Sequence, residues 1–426
     1  MKRFLYSLGL SKKTFSSNVT PIISILVLSI LTITPKYHVG ILLITLWCVF
    51  FIFELRNIIN SNRKLRNIFI LGVAFVFICA IYKILGVSSA KMWYCINAPL
   101  LYFAPVSALM IIDRCNNEQQ IRFLFHFIAL AVAINIADNI RLSYEFGMEN
   151  IVFQRLSGEM AEEGVTGLNF GGSTFVNMSV FYACTMFMVF LKSSTKLGKL
   201  LFLIYVGISA YFIIICSLKA SAIILMLIGF VFMYVSVKSN GHIGTIMFFI
   251  TVVGGATFLF IDNIINILIN VIDSGRITER FIIFTSEGEV SDSSSFMSRS
   301  SLWMVSIKTW LSGIGSFFFG IGEHNWHDFR STADSGVGNH SDLLDVLARY
   351  GIFGALVLFS SIKLYYDYLN RKYGASSKFF IISFFVLILL MGFTKKIVSA
   401  EPAIMIYILF PLTLRYCFNK ETICKF

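Results

Sequence analysis

GNHSDLLDVLARYGIFG, residues 338–354, starts as a polar loop and runs without a break into an apolar helix. Ser341 follows His340 as an N-cap, Asp342 falls in the first turn, and Asp345 and Arg349 stand at i, i+4 spacing. The stretch therefore reads as the point where a wet loop becomes a membrane helix, with a titratable imidazole held at the step. The rest of the chain must supply the membrane protein that this reading requires.

It does so by composition and by run length. The 426 residues are 57% hydrophobic and only 14% charged, where a soluble domain carries about 25% charged residues. Apolar windows fall near 19–35, 39–53, 67–85, 92–112, 121–137, 174–191, 199–217, 220–237, 243–272, 343–369, 378–394 and 402–418. Most approach the 20 or so residues that cross a bilayer as a helix, and they are continuous, whereas β-barrel strands are about 10 residues long and alternate. The expected architecture is all-α: a single polytopic membrane domain over residues 1–426, with about 12 transmembrane helices and two larger outer loops, 138–173 and 273–342.

Lysine and arginine set the expected orientation. With both ends in the cytoplasm, the inner loops collect Arg56, Arg63, Lys64 and Arg66, then Arg114 and Arg122, then Lys192, Lys196 and Lys199, then Arg371, Lys372 and Lys378. Lys395 and Lys396 do not fit this pattern. The net charge of +12 is spread over short loops, with no basic stripe of the kind that binds nucleic acid. The eight cysteines lie in apolar runs or short loops and imply no disulfide framework.

The larger outer loop holds Arg276, Arg280, Arg299 and Arg330, with His324, His327 and His340. Guanidinium suits phosphate because its planar fork donates two parallel hydrogen bonds and stays charged. The smaller loop sets Arg155 among glycines that allow close backbone approach to a ligand, or simply make a flexible connector. Lys219, in the turn SLKASA, stands alone at the outer boundary, where it either snorkels or meets a lipid phosphate. Two patterns lead elsewhere and are set aside. GIGSFFFGIG, residues 313–322, shares only glycines with a dinucleotide fingerprint and reads as a re-entrant segment buried by neighbouring helices. EHNWHDF spaces His324 and His327 too loosely for a zinc site, and no metal or other cofactor is expected.

Taken together, SLKASA, the stretch SRSSLWMVSIKTWLSGIGSFFFGIG and NHSDLLDVLARYGIFG resemble the bacterial O-antigen polymerase and O-antigen ligase superfamily. The shared pattern is an arginine near a tryptophan, a GIG turn, and a histidine leading into spaced leucines and glycines. Here those are Arg299 and Trp303, Gly320 and Gly322, then His340, Leu344, Leu347, Gly351 and Gly354. Lys219 stands where the family usually has arginine; the family's polymerases also tend to carry an arginine, ten residues and a glycine in each outer loop, whereas here Gly167 comes one residue late after Arg155 and the first glycine after Arg299 is Gly313.

The resemblance implies a glycosyltransferase acting on undecaprenyl-diphosphate-linked glycan at the periplasmic face of the inner membrane. In that setting, His340 and Arg299 would be the catalytic pair. Lys219, Arg155, Arg276 and Arg280 would bind the diphosphate. The partners would be membrane lipid and a chain-length regulator protein. A ligase moving the polymer to lipid A core is the alternative. A secondary transporter or flippase fits less well, because ionisable groups gather at the outer boundary and not at the bilayer midplane.

Overall fold

The computed structural model of the chain describes residues 19–34, 40–88, 92–145, 173–217, 220–238, 295–322, 341–394 and 397–418. Among these residues every regular element is a helix. They are α1 (Val19–Ile33), α2 (Gly40–Phe53), α3 (Leu55–Ile59), α4 (Arg63–Ile84), α5 (Met92–Arg114), α6 (Glu118–Glu145), α7 (Ser173–Lys192), α8 (Lys196–Tyr211), α9 (Ala220–Lys238), α10 (Ser295–Trp310), α11 (Ile314–Phe319), α12 (Asp342–Thr394), α13 (Ala400–Ile404) and α14 (Phe410–Phe418). Eight described helical segments are long and apolar enough to cross a membrane, and shorter apolar helices cover Thr20–Ile33, Leu42–Phe53 and Ser221–Val237. The chain is thus a multi-pass helical membrane protein. The apolar window at 243–272 lies outside the described residues.

In hydrocarbon every backbone group needs an internal partner, which is why uninterrupted Leu, Ile and Phe runs become helices. Buried hydroxyls obey the same rule by bonding back one turn, as Ser29 Oγ does to Ile25 O (2.6 Å) and Thr185 Oγ1 to Phe181 O (2.7 Å). Polar N-caps start helices: Asn62 accepts from Lys64 N ahead of α4, and Thr195 from Gly198 N ahead of α8.

A continuous helix from Asp342 to Thr394 would extend about 80 Å if straight. It is instead an antiparallel hairpin: Tyr366 and Phe385 pack with ring centroids 5.2 Å apart, and a Cβ on Gly392 would come within 2.9 Å of Leu343 Cγ. Its arms, Asp342–Gly374 and Ser376–Phe393, match the windows at 343–369 and 378–394. The C-terminal segment Ala400–Phe418 is the centre of the bundle, with 83% of its apolar stretch buried, while α4, at 22%, lies on the rim. A turn of π-helix, Phe212–Cys216, carries on from the end of α8, and another, Met405–Leu409, joins α13 to α14 in the C-terminal segment. The second of these offers the Ile406 carbonyl to Tyr365 OH, which packs with Tyr407 in the core.

The basic residues assigned to inner loops do meet at one end. Lys372 and Tyr368 bond Asp113, Lys64 lies 3.7 Å from Asp367, and Arg114 donates to Asn57 O (3.0 Å). Arg415 joins Glu118 through Nε (2.7 Å) and donates to Ile112 O (3.1 Å). One expectation is corrected: α6 continues through Glu145, because Arg141 bonds both Asp138 and Glu145, so the segment from 138 begins as helix and not as loop.

Candidate functional site

At the opposite end, the start of α12 ties several elements together. Ser341 caps it as the sequence suggests: its Oγ accepts from Leu344 N and donates to Gly392 O, both at 3.3 Å. Asp342 Oδ2 accepts from the amides of Ile397 (2.6 Å) and Val398 (2.5 Å), so a buried carboxylate anchors the chain that leads into α13. Asp345 departs from the expected pairing with Arg349. Its Oδ1 accepts from Ser306 Oγ on α10 (2.8 Å), and its Oδ2 faces Ser341 N at 3.5 Å.

A second junction forms where α12 breaks. Gly351 has φ 61° and ψ −163°, which turns its peptide out of the helical path. The carbonyls of Ala348 and Arg349 are taken instead by the amides of Ile321 (3.0 Å) and Gly322 (2.8 Å). Close approach of the two backbones demands glycine on both sides. A Cβ on Gly320 (φ 76°) would lie 2.3 Å from the Arg349 carbonyl carbon, and one on Gly351 would lie 2.3 Å from that of Phe318. Tyr82 OH fixes the strap from α4 by bonding Phe319 O.

GIGSFFFGIG therefore divides. Its second glycine pair is clamped to α12, but none of α11 is buried, and Ile314 is 82% exposed. This corrects the reading of the whole segment as buried by neighbouring helices.

Polar capacity at this end is not all used. Trp303 Nε1, Asn97 Oδ1, Ser221 Oγ and Ser399 Oγ are buried without a hydrogen-bond partner. A buried donor or acceptor left unmade costs about 1–3 kcal/mol. A third buried carboxylate, Glu401, accepts from Thr174 Oγ1 at 3.2 Å.

Of the residues singled out from sequence, Arg299 lies within the helical backbone of α10, one turn before Trp303 and two before Ser306. His340, Lys219, Arg155, Arg276 and Arg280 lie outside the described residues, as do His324, His327, Arg330, Lys395 and Lys396. The chain neighbours of three of them are fixed here: Ser341 after His340, Ile397 after Lys396, and buried Ser217 two residues before Lys219. Sequence reasoning missed Ser306, the amide capture by Asp342, and Glu401. An acidic residue inside an otherwise apolar run was the available signal for Glu401.

No family model matches the chain, and no curated protein matches it in sequence.

Proposed function

We propose that the protein is an O-antigen polymerase. In this reading it joins undecaprenyl-diphosphate-linked oligosaccharide units at the periplasmic face of the bacterial inner membrane. The observation that carries the proposal is the docking of the two halves of the resembling motif. The Arg299–Gly322 half meets the helix that follows His340 through Ser306–Asp345 and through the glycine strap. The glycines that the motif shares, Gly320, Gly322 and Gly351, are the ones with positive φ at that junction. Basic residues gathered at the other end agree with a cytoplasmic face there, which turns this end outward.

In the proposed reaction the donor glycan is held by its diphosphate. A hydroxyl at the non-reducing end of the acceptor attacks the anomeric carbon, the bond from that carbon to the diphosphate oxygen breaks, and undecaprenyl diphosphate leaves. Charge grows on the departing diphosphate, so fixed cations have the largest effect on the rate. Arg299 and Lys219 supply them, with Arg155, Arg276 and Arg280 in support. Lysine at 219 acts as a point charge and lacks the bidentate fork. His340 takes the proton of the attacking hydroxyl or donates to the diphosphate. The donor is already activated, so the reaction uses no nucleotide.

Surface polysaccharide from a strain lacking the gene tests the reading on a gel. Loss of a polymerase leaves core carrying one repeat unit, and the ladder returns on complementation. Bare core would assign the chain to the ligase reaction instead, and an unchanged ladder would reject both.

A further inference from the structure

We infer that the Ser306–Asp345 hydrogen bond is a positioning element for the proposed transferase, holding the helix of Arg299 in register with the helix start beside His340. The inference rests on the function proposed above. Ser306 and Asp345 are 2% and 3% exposed and sit 39 residues apart in sequence, so their bond crosses the whole segment between α10 and α12. Asp345 reaches both ways, with one oxygen on Ser306 Oγ and the other facing the amide of Ser341, the residue after His340.

Packing alone does not call for this pair. Burying a carboxylate is expensive, and two apolar side chains would hold the helices together at lower cost. What a directional, charge-assisted bond adds is one rotation and one register, the role that single buried polar groups play in coiled coils. Register matters here because Arg299 lies two turns from Ser306, about 10 Å along the axis. A slip of one residue rotates the helix by about 100° and carries any side chain on that stripe away from its target. Misplacement by about 1 Å is enough to lower a rate by about 10²-fold.

Purified protein in liposomes, supplied with a synthetic undecaprenyl-diphosphate repeat unit, tests the inference through a double-mutant cycle. S306A and D345A are each expected to lower kcat by about 10- to 10²-fold while KM changes little. The S306A/D345A double variant should be no slower than D345A, since both remove one bond. D345N keeps an acceptor for Ser306 Oγ and should recover part of the loss.

Single variants that turn over at the wild-type rate once corrected for folded protein would overturn the inference, and so would losses that multiply in the double variant. Wild type, R299A and H340A run alongside separate this failure from that of the functional reading. If wild type itself forms no product, it is the polymerase assignment that falls; if R299A and H340A leave turnover intact, it is the catalytic roles of those two residues.

Discussion

The two ends of the bundle use charge differently. At the basic end the cations are spent on partners: Lys372 on Asp113, Arg415 on Glu118 and the Ile112 carbonyl, and Lys192 over the rings of Phe380 and Phe418. At the other end the buried carboxylates Asp342 and Asp345 bind backbone amides and a serine hydroxyl. Ion pairs that cross-link helix ends hold a bundle together. Carboxylates that accept from backbone amides fix the path of the chain around them. The contrast teaches that an excess of basic residues does not by itself mark the place where an anion binds.

The largest expected effect tests that contrast directly. H340A and R299A should each lower polymerisation by about 10²- to 10⁴-fold with protein level unchanged. K372A, at the opposite end, should leave turnover per folded molecule near wild type while lowering thermal stability. Repeat-unit ladders and unfolding curves from the same preparations check both halves. Equal losses of turnover at the two ends would erase the distinction.

Next in size is Gly351→Ala. The positive φ alone costs about 1–3 kcal/mol in a residue with a side chain. The new Cβ would also meet the Phe318 carbonyl, a backbone group that cannot rotate away. The strap should detach from Ala348 and Arg349, with a lowered unfolding midpoint in detergent and little or no product. A variant as stable and as active as wild type would show that the break in α12 is incidental.

These positions also mark how far the sequence could be read. Run length and apolarity located the helices, and the cap at Ser341 followed from local chemistry. The hairpin in α12 was legible because Arg371, Lys372 and Lys378 interrupt its apolar pattern. The strap was not, since a pairing of Ile321 with Ala348 depends on where a helix breaks and leaves no periodic trace. Asp345 was misjudged for a related reason. Spacing along one helix proposes the i+4 neighbour, whereas the partner came from α10. Within the site, the junction positions were legible as glycines, but the interhelical bonds that give them their geometry were not.

Arg415→Met sharpens the basic end. The change keeps an apolar stem but removes the hydrogen bonds to Glu118 and the Ile112 carbonyl, in a side chain only 10% exposed. Hydrogen bonds to charged groups contribute about 1.5–3 kcal/mol, and a loss near that size is expected in the unfolding free energy, with turnover unchanged.

The smallest effect belongs to Lys64→Ala. Its ammonium stands 3.7 Å from Asp367, whose side chain is 40% exposed, so water and salt screen the pair. Exposed pairs of this kind contribute up to about 1 kcal/mol, and the shift in midpoint should shrink further at high ionic strength. The ranking of Arg415 above Lys64 follows from burial and from bonding, because Arg415 hydrogen-bonds both Glu118 and a backbone carbonyl, whereas Lys64 faces its carboxylate at 3.7 Å. If Lys64→Ala proved as costly as Arg415→Met, at low and high salt alike, the basic end would be acting as one linked network. Its ion pairs would then have to be weighed together and not by the exposure of each.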